Sequence, residues 1–497
     1  MFYKNLKKHK KTTEKNLTFS IFEDGIKSKS DDSVSKPNEC KLFYNISYND
    51  GALKTGLGFQ DLKVPASLDA LDDLHTYDFS MLIDDIKSIY TERWYNTTYK
   101  TYIYQLLLLD GSYNLWSCSL IDQYDGAILQ RTTRLNDLPT YQCVYRLDQT
   151  DVNLFFSNEG LIIIGQYYDA IFEEVPALIS CVVHYDNLFG VTNDLQSTLI
   201  YTDNLDVTTL RKEDSSTIEF LDNRGSFKRL VSFNDYVYLF REYGITKLSI
   251  YSSKSNFSFT HLYTSSSKIF ENSISVCGDK IFFMTREGLY SFNGNSVQRI
   301  CEQYDSFWKN LDNSNCSSAC LNGKYYLATR CDFEDLEEVG CEVNETYSNN
   351  VLFEIDVETF ELNVLRGVDI RKILAVDTPF LSKLCACFND YTQRVGELTF
   401  NGKIFEASLN KKWSSFSTDL GYQSKKKKIK EIVLTSLYDC VVTIESDEET
   451  KSFSFVGRDK EQRLSVCLYG KRFKFSFSSD CENCEICKPL VVFDVVS

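Results

Sequence analysis

The central part of the chain repeats one pattern of hydrophobic and polar positions. A turn dipeptide is followed by alternating apolar residues, a second turn with glycine, and another apolar run; Asn234-Asp235, YVYLFREY, Gly244 and ITKLSIY show it. Alternation buries one face of a strand, and Asn-Gly or Asp-Gly pairs favour tight turns, so each unit predicts a β-hairpin. The other turn pairs are Asp110-Gly111, Thr150-Asp151, Gly278-Asp279, Asn322-Gly323 and Asn401-Gly402.

The repetition predicts how the hairpins are assembled. A lone hairpin cannot bury its apolar face, and units of about 40–50 residues are typical of propellers and arrays. Residues 66–411 hold six or seven such units, which predicts an all-β fold with a six- or seven-bladed β-propeller. Two stacked β-sandwiches are the alternative. Helical periodicity is confined to two stretches, Ala66 to Tyr90 and Cys301 to Leu311.

The period-2 alternation also predicts which side chains are buried. Tyr236, Tyr238 and Phe240 share one face of their strand, as do Ile281 and Phe283. We expect these faces to form part of the core.

Two flanking regions have other patterns. Residues 1–65 are turn-rich, are punctuated by glycine and carry few core positions, which predicts an extended N-terminal arm. Residues 412–497 hold six short alternating strands, which predict a small C-terminal β-sandwich. The run from Lys425 to Lys428 opens this region, and we expect it to be a solvated loop rather than a phosphate-binding patch.

Composition strengthens the all-β prediction and limits the partners. Aromatic residues make up 14% of the 497 residues, and Tyr and Phe are favoured in strands. Lys and Arg number 54 against 70 Asp and Glu, which gives a net charge of −16. Such a chain is a poor general binder of nucleic-acid backbones.

Targeting signals are absent from the sequence pattern. No apolar stretch reaches the roughly 18 residues that a membrane helix needs. The first 16 residues are basic but lack the apolar core of a secretory signal. We therefore expect no signal peptide and no membrane span.

The 17 cysteines are interpreted as reduced thiols. Most of them, such as Cys277, lie in apolar strand-like runs, where cysteine behaves as a small hydrophobe. Cys481, Cys484 and Cys487 form a different pattern, since CxxC is a fragment of a metal site. Tetrahedral zinc needs four ligands. We expect an accidental cluster, with zinc or a disulfide as open alternatives.

The pattern of chemically active residues argues against catalysis. The four histidines form no metal-binding pair, and nucleophile elbows, phosphate loops and dinucleotide-binding glycines are missing. His184 lies in a predicted strand, and the acidic runs at 332–338 and 445–449 are interpreted as solvated loops. We predict that the protein is not an enzyme, with no catalytic, cofactor-binding or metal residues and no cofactor.

Several stretches are similar to β-propeller proteins of tailed-phage virions. These are the tail-hub, tail-nozzle and packaged-DNA-stabilising proteins of the head–tail connector. The Gly-led arm Phe22 to Phe59 resembles the start of such proteins, and YDNLFG at 185–190 followed by STLIYTDNLDVTTL resembles one of their hairpins. The pair Phe227 to Ile250 and Ser273 to Trp308 resembles two of their consecutive blade segments.

The resemblance implies a structural virion protein of a tailed bacteriophage or prophage. Such a protein is a tail or head–tail component that helps to form the DNA exit conduit. Its partners would be other tail or portal proteins and further copies in a homo-oligomeric ring, and DNA would pass without specific binding. The charge of −16 would repel phosphates there. The place of action would be the virion tail, after synthesis in the host cytoplasm.

The arm and the aromatic residues distinguish two kinds of function. An extended arm can add a strand to a neighbouring subunit or close the propeller of its own chain. The alternative function is a non-catalytic propeller that binds a glycan or a protein, which predicts exposed aromatic residues such as Trp94, Trp308 or Trp413. A lateral patch would favour assembly, and a polar funnel at the centre would favour a ligand.

Overall fold

The fold is all-β and β-propeller-like, with many small antiparallel sheets. Within the described residues, helical structure is limited to one α-helical turn, Asp305–Trp308, and three 3-10 turns, Val207–Thr209, Glu271–Ser273 and Glu302–Tyr304. The computed structural model describes residues 17–20, 40–49, 51–77, 79, 83–96, 98, 100–121, 130–135, 137–147, 150–165, 168–185, 187–202, 206–210, 216–250, 257–332 and 349–496.

Seven strands precede the repeated sheets. They are β1 (Leu17–Ser20), β2 (Cys40–Tyr44), β3 (Ile46–Asn49), β4 (Ala52–Thr55), β5 (Gly58–Asp61), β6 (Lys63–Ser67) and β7 (Ala70–Thr76). Strands β6 and β7 form a hairpin of their own. In the first stretch with helical periodicity, Ala66 to Tyr90, the described residues include strands β6, β7 and β8 and no helix. Ala66, Leu71 and Leu74 lie in strands because the hairpin pairs along its length.

Six sheets of four consecutive strands follow, and each is antiparallel in chain order. Sheet 1 is β8 (Ile86–Asn96), β9 (Thr101–Asp110), β10 (Asn114–Ser119) and β11 (Gln130–Arg134). Sheet 2 is β12 (Tyr141–Leu147), β13 (Thr150–Ser157), β14 (Gly160–Gly165) and β15 (Tyr168–Phe172). Sheet 3 is β16 (Leu178–His184), β17 (Asn187–Thr192), β18 (Thr198–Thr202) and β19 (Ser216–Glu219).

The next three sheets have the same order. Sheet 4 is β20 (Phe227–Phe233), β21 (Tyr236–Arg241), β22 (Gly244–Ile250) and β23 (Phe257–Thr264). Sheet 5 is β24 (Ser275–Cys277), β25 (Lys280–Thr285), β26 (Gly288–Phe292) and β27 (Val297–Ile300). Sheet 6 is β28 (Leu311–Leu321), β29 (Lys324–Cys331), β30 (Val351–Asp356) and β31 (Leu362–Arg366).

Sheet 7 combines strands from distant parts of the chain. Its C-terminal strands are β32 (Ile370–Asp377), β33 (Ser382–Phe388), β34 (Val395–Thr399), β35 (Lys403–Ile404) and β36 (Ala407–Ser408). Strand β34 pairs in antiparallel register with β5, where Leu398 lies opposite Phe59. A strand of the predicted arm is therefore built into the last repeated sheet, in the manner of an arm that closes its own propeller.

The sheets contact one another through their first strands. Strand β12 contacts β16, β16 contacts β20, β24 contacts β28, and β28 contacts β32. Sheets 4 and 5 are linked where Arg229 donates a hydrogen bond to the carbonyl of Ile274 over 2.9 Å. The series closes on itself because β32 also contacts β8, and Arg371 donates to Asp85 Oδ1 at 2.7 Å.

The C-terminal region forms two further sheets with the earliest strands. Its strands are β37 (Lys411–Ser415), β38 (Lys426–Ser436), β39 (Cys440–Ser446), β40 (Thr450–Phe455), β41 (Arg458–Gly470), β42 (Phe473–Ser479) and β43 (Glu485–Val496). Sheet 8 has the order β3-β4-β43-β38-β41 with β1 on β43, and sheet 9 has the order β2-β37-β42-β39-β40. Both sheets contribute buried side chains to one hydrophobic core, which also contains Trp308.

The turn chemistry follows the sequence prediction. Asn234 and Asp235 have φ values of 46° and 62°, and Asn322 and Gly323 have 51° and 72°. Two successive positive φ values are the condition for a tight hairpin turn that matches the twist of its strands. These dipeptides join β20 to β21 and β28 to β29.

Two local expectations were wrong. The run Lys425 to Lys428 is not a solvated loop, because β38 begins at Lys426 and Lys427 is buried with its ammonium donating to the carbonyl of Lys471. Cys277 is not a free thiol, since it forms a disulfide with Cys320. The first strands of sheets 5 and 6 contact each other and place these two cysteines side by side.

Candidate ligand-binding cavity

A cavity lies where the first strands of six repeated sheets meet. Its volume is about 780 Å³, within the roughly 300–1,000 Å³ that small-molecule sites occupy. Side chains from β8, β12, β16, β20, β28 and β32 line it, together with Glu271 and Asn272 before sheet 5. Most of the lining residues are polar or charged.

The first strands of sheets 1, 3, 4 and 7 each have a β-bulge at their second residue. The pairing register shifts between Ile86 and Ser88, between Leu178 and Ser180, between Phe227 and Arg229, and between Ile370 and Lys372. A bulge inserts one residue and re-aims side chains that strict alternation would place on opposite faces. The inserted residues are Lys87, Ile179, Lys228 and Arg371, and all of them line the cavity.

At two of the bulges, neighbouring residues both line the cavity. Lys228 and Arg229 of β20 both line the cavity, and so do Arg371 and Lys372 of β32. In a regular strand, one member of each pair would point away. The same local geometry in two sheets therefore concentrates four basic side chains at one place.

The cavity is basic although the chain as a whole is acidic. Glu271 is the acidic residue among its lining residues, against five basic ones. Two of these cations, Lys87 and Arg371, contact the carboxylate of Asp85. Burial raises the pKa of Asp85, but hydrogen bonds from Arg371 and Lys87 outweigh it and leave that pKa below its usual range.

The other three cations have no carboxylate partner among the described residues. Lys372 donates to Ser88 Oγ at 2.8 Å, and its Nζ lies 3.7 Å from the ring centroid of Tyr90. Arg229 donates to the backbone carbonyls of Ile274 and Glu271. Burial lowers the pKa of Lys372 to about 8, and the positive charge of Arg229 adds to that lowering. Lys228 has no hydrogen bond or ion pair to the described part of the chain.

This arrangement suits an anion better than a metal ion or a neutral ligand. Ammonium and guanidinium groups form strong charge-assisted hydrogen bonds to carboxylate and phosphate oxygens. In the part of the chain that the structure describes, no group of three or more His, Cys, Asp and Glu side chains is placed to hold a metal ion.

The residues singled out by sequence lie elsewhere. His184 ends β16, and its Nδ1 lies 2.8 Å from Ser232 Oγ. Cys484 is buried, and its N–H donates to Thr55 Oγ1, so β4 covers that end of the CxxC pattern. Cys481 and Cys487 are half-buried in the same segment.

The tryptophans do not form an exposed aromatic site. Trp308 and Trp413 are each 1% exposed and belong to the core beside sheets 8 and 9. Trp94 is half-buried in β8. The exposed-aromatic prediction of the binding alternative is therefore wrong for Trp308 and Trp413.

Sequence reasoning missed Lys228, Arg229 and Lys372. A signal was available, because an apolar residue followed by one or two basic residues opens three first strands: Ile86-Lys87, Phe227-Lys228-Arg229 and Ile370-Arg371-Lys372. The bulge at which both members of a pair line the cavity is not visible in the alternation pattern.

Comparisons with known proteins identify no family for the chain. No family model matches it, and no curated protein sequence matches it. None of the helices in the described ranges has the length and apolarity to cross a membrane.

Solved structures show partial similarity. The extracellular domain of BT4673 from B. thetaiotaomicron matches with a TM-score of 0.39 and 11% identity over 82% of this chain and 47% of that chain. The chain thus spans about half the length of that domain. The N-terminal domain of Nup159 matches at 0.37 and 11% identity over 69% and 95%, and Kluyveromyces lactis Hsv2 at 0.34 and 8% over 65% and 97%. Similarities of this degree carry no statement about function.

Proposed function

We propose that the chain is a non-catalytic structural protein of a tailed bacteriophage or prophage virion. It would act as a hub or nozzle component of the tail or head–tail connector, in a ring of identical subunits that helps to enclose the DNA exit conduit. The similarity of the segments from Phe22 to Trp308 to such proteins motivates the proposal. Its partners would be portal and tail proteins.

The observation that carries an assembly role is the outer edge of sheets 3 and 4. Leu221, two residues after the end of the edge strand β19, is 84% exposed, and Phe259 on the edge strand β23 is 37% exposed. The ring centroid of Phe220, the residue before Leu221, lies 5.1 Å from that of Phe259. Open strand edges with exposed apolar groups are suited to pairing with another chain.

The architecture that we propose is a seven-bladed propeller. Its blades would be sheets 1 to 7, formed by residues 66–411 together with β5 (Gly58–Asp61), which would supply the fourth strand of the last blade. Sheets 8 and 9 would form the β-sandwich of residues 412–497, completed by β2, β3 and β4 from residues 1–65. Closure of the propeller by an N-terminal strand would make each subunit of the ring rigid.

The conduit would lie between subunits rather than through one of them. A cavity of about 780 Å³ has the volume of a cube about 9 Å on a side, which is less than the roughly 12 Å width of the major groove of a DNA duplex alone. The basic cavity would therefore not line the path of the DNA, and the net charge of −16 would limit binding of DNA to the rest of the ring. Basic side chains of this protein along an assembled tail channel would contradict this part of the proposal.

The test is the oligomeric state together with particle association. Light scattering and negative-stain imaging of the full chain should show a ring, and an antibody against it should label the tails of purified virions. Leu221→Lys should abolish the ring and keep the melting temperature, whereas Val456→Lys, an exposed apolar position on another face, should keep the ring. The proposal would be overturned if the protein is a monomer and the antibody does not label virions.

A non-catalytic binding module is the second candidate function. The observation that favours it is the central polar cavity of ligand-binding size. Binding of a small molecule without ring formation or virion labelling would favour this function over the first.

A further inference from the structure

We propose that the central cavity binds a small oxyanion with two or more negative charges, of the phosphate or polycarboxylate class. The proposal rests on the binding-module function for this cavity and does not depend on the assembly role.

The first argument is convergence. Lys228 and Arg229 approach from sheet 4, and Arg371 and Lys372 approach from sheet 7, so the cations come from two separate sheets. In each case two consecutive basic residues at a bulge line the same cavity. A flexible cluster of cations on the surface would not have the same bulge in two separate sheets.

The second argument is the missing counter-charge. Arg229 and Lys372 repel each other, and their neighbours are carbonyls, a hydroxyl and an aromatic ring rather than carboxylates. Like charges at short range in a partly desolvated space are unfavourable. A bound oxyanion would reverse that interaction.

The third argument concerns selectivity. The guanidinium of Arg229 is a planar donor that matches two oxygens of a carboxylate or phosphate, and the lysines add point charges. Glu271, which also lines the cavity, would disfavour an anion that fills the whole of it. A compact, multiply charged oxyanion therefore fits better than a long acidic segment.

The experiment is titration calorimetry of the full chain with pyrophosphate and, separately, with citrate. We expect a stoichiometry of one and a dissociation constant raised at least about tenfold by Lys228→Gln and by Lys372→Met, since each removes a charge-assisted interaction. Lys309→Gln makes the same charge change as Lys228→Gln at an exposed site outside the cavity and should bind as the wild type does. Unchanged melting temperatures would show that the variants fold.

Each result of the titrations either identifies the class of anion or contradicts the proposal. Preference for pyrophosphate would identify a phosphate ligand, and preference for citrate a carboxylate ligand. Absence of binding, or equal weakening by Lys309→Gln, would overturn the proposal. Binding of an acidic peptide but of neither small anion would also overturn it. Ring formation is measured independently, so either proposal can fail alone.

Discussion

Gln60 donates a hydrogen bond from Nε2 to Glu397 Oε1 over 2.6 Å, and so joins β5 to β34 across 337 residues of chain. The other carboxylate oxygen of Glu397 accepts from the backbone N–H of Lys63 at 3.1 Å and from the ammonium of Lys383. Glu397 is 3% exposed, which makes it the buried polar anchor of the closing strand.

We expect Glu397→Ala to loosen this closure. The substitution leaves the N–H of Lys63 without its acceptor and the ammonium of Lys383 without its carboxylate partner, although that ammonium keeps the carbonyl of Lys63. Removal of one partner from a buried ion pair costs about 3–5 kcal/mol. Urea unfolding should show that loss, and hydrogen exchange should rise first at Gly58–Asp61. Glu302→Ala, at an exposed glutamate, should change neither quantity. Normal protection of β5 in Glu397→Ala would refute the anchor role.

Gly58 tests the same closure through sterics. A Cβ at this position would lie 2.1 Å from Asn401 Oδ1 and 2.3 Å from the carbonyl oxygen of Lys403. Backbone atoms cannot move aside cheaply, so Gly58→Ala should destabilise the protein by about 1–3 kcal/mol. Gly111→Ala is the matched control, since its nearest neighbour would lie at 3.5 Å. Equal thermal stability of the two variants would mean that β5 is not held closely against 401–403.

Sequence reasoning predicted the repeated hairpins because their signals are local. The alternation and turn pairs around Asn234 and Asn322 lie within one hairpin, and the structure has strands and positive φ values there. The partner of Gly58–Asp61 is a strand more than 330 residues away, and no local pattern specifies such a pairing. The prediction of an N-terminal arm did not specify whether the arm adds a strand to a neighbouring subunit or closes the propeller of its own chain.

The strands of the repeated sheets are buried on both faces, whereas the alternation predicts one buried face. The alternation predicts one buried face for β21, yet Val237 and Leu239 are as buried as Tyr238 and Phe240, while Tyr236 is 36% exposed at the strand end. The reason is that each repeated sheet packs between two others, so both of its faces meet a core. The basic cavity escaped prediction for a related reason, since it depends on bulges rather than on alternation.

Glu92 should make stability fall as the pH rises. Burial raises its pKa from 4.5 to about 7, and among the described residues no donor reaches its Oε1. Below about pH 4.5 both states hold the proton. Between 4.5 and 7 the unfolded chain loses it first, so stability declines by about 3 kcal/mol and stays low above pH 7.

Glu92→Gln removes that titration. We expect a flatter stability profile between pH 4.5 and 7, and greater stability than the wild type at pH 8, as measured by urea unfolding across pH. The exposed Glu219→Gln should leave the slope unchanged. A wild-type slope in Glu92→Gln would assign the pH dependence to other groups.

Phe283→Asp tests the core of the repeated sheets. The ring of Phe283 is fully buried, stacks on Tyr290 at 5.5 Å and meets Phe240 edge-on at 5.6 Å. A carboxylate there would be an unpaired buried charge, which costs on the order of 3–5 kcal/mol, so we expect loss of soluble, cooperatively melting protein. Val276→Asp in the same sheet is the control, because Val276 is 44% exposed and should accept the charge. A soluble Phe283→Asp variant with a sharp melting transition would contradict the role of β25 in the core.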